Sequence, residues 1–248
     1  VPEIVVPDAR EGAAVAAATF YGNPADRLLL LGVTGTNGKT TTTFMLESIL
    51  TAEGRAAGLI GTIETHIGSV VRPGVRTTPE SVDLQALLAE MVAAGVGGVA
   101  MEVTSHALAL HRVDGIRFAA AGFTNLSQDH LDFHAGMEDY FEAKRSLFTS
   151  QRADKGAVNV DDPYGARLVG EADIPCIGFG IEADADVSAI DIHMGPTESR
   201  FTIRSPKGDI AIRTTLVGTF NIYTCLAAAA IALQAGIGLE AIEQGLCE

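Results

Sequence analysis

The chain has 248 residues, a formal net charge of −14 and 47% hydrophobic residues, with 6% aromatic residues and no Trp. This negative net charge argues against a general nucleic-acid or membrane-surface binder, because phosphate-rich surfaces bind proteins that present a basic face. No apolar run reaches membrane-spanning length. At roughly 150 residues per domain, the length suits one large domain or one domain plus part of another.

Residues 1–27 contain three prolines, a short Ala-rich helical pattern and the turn Tyr21-Gly-Asn-Pro24. We expect this stretch to be a linker and the remnant of an upstream domain. From residue 28 onward, predicted strands and helices alternate. The predicted strands are 28–33, 57–63, 97–103, 117–123 and 156–160, and the predicted helices are 39–53, 81–94, 137–149 and 163–171.

The strands at 97–101 and 118–123 are continuously apolar, which is typical of strands buried on both faces of a parallel sheet. After Pro175 three segments alternate apolar and polar residues, which predicts an antiparallel β element. Two further helices are predicted at about 220–235 and 239–247. We therefore expect an α/β fold with a doubly wound, mostly parallel sheet and a small antiparallel element near the C-terminal part.

The stretch 28–43 is an apolar strand that breaks into a Gly/Thr loop and then becomes helical. Gly35 and Gly38 let the backbone approach an anion, and the amides of the loop and of the helix N-terminus point at it. Lys39 adds a charge for outer phosphates, and the Thr40 hydroxyl is placed to ligate Mg²⁺. Val33 stands where the usual spacing has a glycine, so this P-loop is a variant.

Two further polar groups follow predicted strands, where open α/β sheets bind ligands. Glu102 and Ser105-His106 follow the strand at 97–101, and a carboxylate on a strand next to a P-loop is a common Mg²⁺ ligand. The loop 123–134 gathers Asn, Asp and His side chains, which also suit an ordinary turn. By composition alone, Lys144 is a surface lysine on an amphipathic helix. His66 and His193 are predicted to be isolated and exposed. The three cysteines show no metal or disulfide spacing.

These segments together resemble the ATP-dependent Mur ligases, most closely the E type. The resemblance runs from about Asp8 to the C-terminus and includes the variant P-loop. Its motifs are 32–43, Thr77-Thr78-Pro79-Glu80, Met101 to Leu108, His111-Arg-Val113, Phe123 to Asp132 and Glu142-Ala-Lys144. Two departures are Thr224, where an Asn is common, and Leu110, where a Gln is common.

The resemblance implies a cytoplasmic ligase of peptidoglycan precursor synthesis that uses ATP and Mg²⁺. It would phosphorylate the D-Glu carboxylate of UDP-N-acetylmuramoyl-L-alanyl-D-glutamate, after which the amine of a third amino acid, by our expectation meso-diaminopimelate, attacks the acyl phosphate. We expect a monomer without nucleic-acid partners or membrane insertion. Residues 28–248 would be the central ATP-binding domain, with the C-terminal amino-acid domain absent and the isolated chain inactive in ligation.

Site residues are carried over from the resemblance by position. The catalytic set is Lys39, Glu102, His130 and Lys144. The expected metal ligands are Thr40, Glu102, His130 and Lys144 as an N-carbamate. The ATP-binding set is Thr34, Gly35, Thr36, Asn37, Gly38, Lys39, Thr40, Thr41 and Asn221. The muramoyl-peptide set is Thr77, Thr78, Ser105 and Arg112.

Three alternatives remain open from the sequence. One is another ligase of the superfamily, either a different Mur type or a folylpolyglutamate synthase-like enzyme. The second is a regulatory P-loop NTPase that hydrolyses nucleotide without an acyl acceptor. The third is a scaffold domain that has lost catalysis. The intact site residues argue against it: Lys39, Thr40, Glu102, His130 and Lys144.

Overall fold

A computed structural model describes residues 5–129 and 132–247 of the chain. The strands are β1 Leu29–Thr34, β2 Ala57–Ile60, β3 Glu64–Ile67, β4 Val70–Pro73, β5 Gly98–Glu102, β6 Ala120–Phe123, β7 Gly156–Asn159, β8 Cys176–Gly180, β9 Val187–Met194, β10 Ser199–Ser205 and β11 Gly208–Thr214. The helices are α1 Ala9–Phe20, α2 Lys39–Ala52, α3 Ser81–Ala93, α4 Ser105–Ala109, α5 Met137–Arg145, α6 Pro163–Glu171, α7 Thr219–Gln234 and α8 Leu239–Cys247.

These strands form one sheet in the order β11-β10-β9-β8-β7-β6-β1-β5-β2-β3-β4. The pairings from β9 through β8, β7, β6, β1 and β5 to β2 are parallel, and both edges continue as antiparallel strands. The predicted mostly parallel sheet with antiparallel strands near the C-terminal part is therefore confirmed. The hairpin β3-β4 and the parallel strand β8 are not among the predicted elements. These three strands have four or five residues each, too few for a clear periodic signal.

Helices cover both faces of the sheet, which explains the lack of alternation in its central strands. Leu31 of β1 belongs to a buried cluster with Ile49 of α2 and the Ala-rich helix α7. Leu30, the adjacent residue, belongs to a second cluster with Phe118 and with Leu84 of α3. Successive side chains of a strand point to opposite faces, so each must be apolar when both faces are covered.

The N-terminal segment packs on this domain in the structure. Asp8 caps α1 by accepting hydrogen bonds from the amides of Arg10 and Glu11, and Ala14, Ala17 and Ala18 of that helix are buried. The first amides of a helix have no intrahelical acceptor, and the side chain of Asp8 supplies one for α1. Among the described residues, no helix has the length and apolar character needed to cross a membrane.

His66 is not isolated, contrary to the sequence-based expectation. Its Nδ1 lies 2.6 Å from Glu47 Oε1 on α2, and its Nε2 lies 2.8 Å from Glu64 Oε2 on β3. Burial lowers the pKa of His66, but the hydrogen bonds of Glu64 and Glu47 outweigh it, so the pKa lies above its ordinary value. Burial also raises the pKa of Glu47.

These shifts predict a pH-dependent stabilisation by His66. A pKa raised in the folded state gives stability that is full below the unfolded pKa, about 6.5 for His, and is lost as pH rises through the folded pKa. We expect His66→Ala to lower the urea midpoint at pH 6 more than at pH 9. The exposed His193→Ala is the control and should change neither midpoint. Equal losses from His66→Ala at both pH values would contradict the ion-pair explanation.

Candidate active site

The P-loop lies at the carboxyl end of β1, next to the carboxyl end of β6. The chain leaves β1 toward β2 on one side and leaves the adjacent β6 toward β7 on the other side, so the strand order reverses between these two strands. In open α/β sheets this is the crevice that binds ligands. Gly35 has φ +147° and Gly38 has φ +87°, both disfavoured for other residues. A Cβ on Gly35 would overlap Thr124 Oγ1 and lie 3.2 Å from the amide of Asn125.

Lys39 lies in the first turn of α2, and its side chain extends back to the P-loop. Its Nζ donates to the carbonyl oxygens of Gly35, at 3.0 Å, and of Thr36, at 2.9 Å. Burial lowers its pKa, while the charges of Glu102 and Asp129 act in the opposite direction. Within the described residues, the hydrogen-bond acceptors of this ammonium are therefore neutral carbonyl oxygens, which an anionic phosphate can replace.

Lys144 is not a surface residue, contrary to the expectation from composition. Only 1% of it is exposed, and its Nζ donates to the same Gly35 carbonyl at 2.8 Å. The Nζ also lies 4.6 Å from the ring centroid of Tyr140, whose hydroxyl is 3.2 Å from Thr36 Oγ1. Burial, and then the positive charge of Lys39, hold the pKa of Lys144 well below the usual value for lysine, against a smaller opposing effect of Asp129.

Glu102 ends β5 beside the P-loop, because β5 pairs with β1 in a register that sets Val33 opposite Glu102. Its Oε1 accepts from Thr40 Oγ1 at 3.0 Å and from the amide of Thr62 at 2.8 Å. Its Oε2 accepts from Thr62 Oγ1 at 3.2 Å. Glu102 is 1% exposed, and these bonds satisfy a carboxylate that burial alone would disfavour.

Thr40 and Glu102 supply a hydroxyl and a carboxylate oxygen within 3.0 Å of each other. Oxygen ligands of this kind suit Mg²⁺, so this donor set fits the expected metal. Within residues 5–129 and 132–247, no group of three or more His, Cys, Asp and Glu side chains could hold a metal ion. His130, which the sequence assigns to the second metal, lies outside the described residues.

Two of the predicted muramoyl-peptide residues, Thr78 and Arg112, form a chain of hydrogen bonds that starts at Glu102. Thr78 Oγ1 donates to the Glu102 carbonyl at 2.8 Å, and Arg112 donates to the Thr78 carbonyl at 3.2 Å. Arg112 also pairs with Glu80 at 2.9 Å. Its Nε is buried and has no partner in the described part of the chain. Arg112 is thus linked to Glu102 through Thr78 and has one buried guanidinium nitrogen without a partner among the described residues.

Ser105, unlike the other predicted substrate residues, forms a hydrogen-bonded chain with a buried histidine. Its Oγ lies 2.9 Å from His134 Nε2, and His134 Nδ1 lies 3.1 Å from Asp139 Oδ2. This order matches a Ser-His-Asp hydrolase triad. However, Ser105 is 1% exposed and His134 is 3% exposed, so this hydroxyl is not presented to a substrate from solvent. The three residues link α4 to the start of α5.

A cavity of about 700 Å³ lies on the other side of the P-loop. The residues that line it include Asn37, Gly38, Thr41 and Asn221, which the sequence assigns to ATP binding. Asn221 Nδ2 donates to the Val217 carbonyl at 2.7 Å, which leaves its Oδ1 available to a ligand donor. Thr34, by contrast, is fully buried at the end of β1.

Several residues of this region were not among the predicted site residues. Thr62 bridges Glu102 and Thr77, whose Oγ1 is 3.0 Å from Thr62 Oγ1. Asp161 accepts from the Tyr223 hydroxyl at 2.7 Å at the edge of the cavity. Thr62 and Asp161 each follow a strand by two residues, so a search of all strand ends would have found them. Nothing in the sequence marks Tyr223.

The sheet topology, the P-loop and the adjoining buried carboxylate define a P-loop nucleotide-binding α/β domain. The family model of the Mur ligase middle domain matches residues 33–232. The chain belongs to this family.

Individual relatives agree with the family match. A Streptomyces avermitilis protein named UDP-N-acetylmuramoyl-L-alanyl-D-glutamate--2,6-diaminopimelate ligase is 49% identical over 99% of this chain and 49% of its own length. A Geobacillus thermodenitrificans protein of the same name is 47% identical over 99% of this chain and 52% of its own length. A solved structure of a ligase with this name is 27% identical, with a TM-score of 0.87 over 98% of this chain and 51% of that chain. The chain spans about half the length of these relatives.

Proposed function

We propose that this chain is the central ATP-binding part of a longer ligase of cytoplasmic peptidoglycan precursor synthesis. The ligase adds a third amino acid, meso-diaminopimelate, to UDP-N-acetylmuramoyl-L-alanyl-D-glutamate. The family match and the names of the relatives support this proposal. The preceding and following domains of the full-length protein would supply the remaining substrate contacts, and the protein would act as a monomer.

The observation that carries the proposal is the set of charged groups around one loop. Two lysines, the half-buried Lys39 and the buried Lys144, converge on the Gly35 carbonyl, and the Glu102 carboxylate bonds to Thr40. A simple nucleotide switch needs Lys39 and a metal ligand, but it has no use for a second, buried lysine. Transfer of phosphate to a substrate carboxylate needs further positive charge or metal ligands to offset the repulsion between two anions.

In the proposed reaction, Lys39 leaves the Gly35 and Thr36 carbonyls and binds the outer phosphates of ATP. The D-Glu carboxylate oxygen attacks the γ-phosphorus, ADP leaves, and an acyl phosphate forms. The amine of the third amino acid then attacks the acyl carbon, the bond from that carbon to the phosphate oxygen breaks, and phosphate leaves with the proton that the amine loses, which forms the amide. Arg112 would hold a carboxylate of the muramoyl peptide, and Thr77 and Thr78 would contact the same substrate.

Two metal sites complete the proposed centre. Thr40 and Glu102 would hold the first Mg²⁺, and His130 with the Lys144 carbamate would serve the second. Bound Mg²⁺ supplies charge neutralisation on the phosphate oxygens. Because the pKa of Lys144 is lowered, its neutral amine can attack CO₂ and release a proton, which turns the side chain into an anionic oxygen ligand.

The proposed function is tested by ADP release from the full-length protein with Mg²⁺, ATP and UDP-N-acetylmuramoyl-L-alanyl-D-glutamate. We expect release to depend on the muramoyl dipeptide and to be faster with meso-diaminopimelate than with L-lysine. The isolated 248-residue chain should bind nucleotide but not ligate, because the acyl phosphate requires a closed site. ATP turnover that is indifferent to the dipeptide would instead indicate a regulatory NTPase, and turnover with a folate substrate would indicate another ligase of the superfamily.

A further inference from the structure

Asn125 contacts the P-loop from the loop that follows β6. Its side-chain Oδ1 accepts from the backbone amide of Asn37 at 2.9 Å. Its Nδ2 donates to the carbonyl of the same residue at 3.1 Å. The side-chain amide of Asn125 thus pairs with both the backbone N–H and the backbone carbonyl of Asn37. Because the first of these groups can only donate and the second can only accept, they determine the orientation of the Asn125 amide.

Neighbouring groups add to the contacts between Asn125 and the P-loop, and we call this whole set of hydrogen bonds the clamp. The amide of Thr36 donates to the Asn125 carbonyl at 2.9 Å, and Thr124 Oγ1 donates to the Asn37 carbonyl at 2.6 Å. The amides of Thr36 and Asn37 therefore both have protein partners before any nucleotide binds. The P-loop backbone packs tightly against Thr124 at this point, since a side chain at Gly35 would collide with Thr124.

The amides that follow in the chain are placed differently. α2 begins at Lys39, and its first backbone hydrogen bond of the i to i−4 type runs from the Thr42 amide to the Gly38 carbonyl. The amides of Gly38, Lys39, Thr40 and Thr41 precede this bond, so they have no intrahelical acceptor. They lie at the positive end of the helix dipole, which suits an anion.

We propose that Asn125 is a positioning residue that holds the P-loop in its phosphate-binding shape before nucleotide arrives. It thereby divides the loop amides into two groups: those of Thr36 and Asn37 hold the loop, and those from Gly38 to Thr41 bind phosphate. This inference rests on the proposed function only in taking ATP as the ligand. A loop that is already ordered loses less conformational entropy on binding, so the clamp should raise nucleotide affinity.

Amide hydrogen exchange at single-residue resolution in the full-length protein tests this division directly. Without nucleotide, the amides of Thr36 and Asn37 should already be protected, and Mg²⁺-ATP should change them little. The amides of Gly38 to Thr41 should gain protection only when Mg²⁺-ATP is added. The inference is overturned if the Asn37 amide exchanges freely in the absence of nucleotide, or if it gains as much protection on binding as Lys39 and Thr40 do.

Substitutions of Asn125 provide a second measurement, the Kd for Mg²⁺-ATP by calorimetry. Asn125→Ala removes two hydrogen bonds to the loop and should weaken binding about tenfold. Asn125→Asp keeps the acceptor but loses the donor and adds a negative charge near the phosphates, so it should weaken binding more than Ala does. The Kd for UDP-N-acetylmuramoyl-L-alanyl-D-glutamate should stay unchanged in both variants.

Gln85→Ala is a matched control. The Gln85 side-chain amide donates to the Gly115 carbonyl at 3.3 Å, on the face of the sheet packed by α3 and away from the P-loop. Its loss should lower thermal stability without changing the Kd for Mg²⁺-ATP. An unchanged Kd in Asn125→Ala would overturn the inference while leaving the ligase function intact. A wild-type protein that binds no Mg²⁺-ATP would overturn the proposed function, whereas the nucleotide-free exchange of Thr36 and Asn37 would still test the clamp.

Discussion

Lys39→Ala in the full-length protein should reduce dipeptide-dependent ADP release by roughly 100-fold or more, as expected when one preorganised group that stabilises transition-state charge is removed. Lys39 is the first residue of α2, and among the described residues its Nζ donates hydrogen bonds to the carbonyls of Gly35 and Thr36. Each of these hydrogen bonds contributes only about 1 kcal/mol to stability, so the variant should lose activity far more than it loses stability.

Two comparisons sharpen this prediction. Lys207→Ala removes an exposed lysine at the turn between β10 and β11 and should leave ADP release unchanged. Lys39→Arg keeps the charge but not the compact ammonium, so it should remain well below the wild type. ADP release in Lys39→Ala within about threefold of the wild type, against the roughly 100-fold loss expected, would show that Lys39 does not contact the transferred phosphate.

Lys144→Ala should abolish ligation, with a loss of at least about 100-fold, because it removes both a buried charged group and a proposed metal ligand. The structure excludes a surface role: Lys144 is 1% exposed and donates to the Gly35 carbonyl. Lys144→Arg should not restore activity, since a guanidinium stays protonated and cannot form a carbamate.

The modification itself has a separate readout. Full-length protein equilibrated with ¹³C-bicarbonate should show a carbamate carbon resonance by NMR, and this signal should be absent in Lys144→Ala. Lys155→Ala, which removes an exposed lysine just before β7, should keep both the signal and the activity. Full ligation by wild-type protein that has been stripped of CO₂ and shows no such resonance would contradict a carbamate at Lys144.

The sequence was sufficient for the parts of this protein that depend on local pattern. The strand, loop and helix around Gly38-Lys39-Thr40 appear as predicted, because each local signal there agrees with the others. The parallel sheet followed from uninterrupted apolar strands, and the boundaries of α6 and α8 match the prediction residue for residue. The placement of Glu102 near the P-loop agrees with the rule that ligands bind at the carboxyl ends of parallel strands, since Glu102 ends β5 and the P-loop follows the neighbouring strand β1.

Only the tertiary structure decided which polar side chains face solvent and which face each other. Lys144 lies on a helix of polar composition, yet the packing of α5 buries it against the P-loop. Asn125 lies in the Phe123 to Asp132 motif, but its contact with the P-loop arises because β6 pairs with β1 and brings two distant loops together. Ser105 is buried and hydrogen-bonded to His134 because the fold brings α4 next to the start of α5. Periodicity reports which face of an element is apolar, but contacts between residues about 90 positions apart depend on strand order and register, which local sequence does not encode.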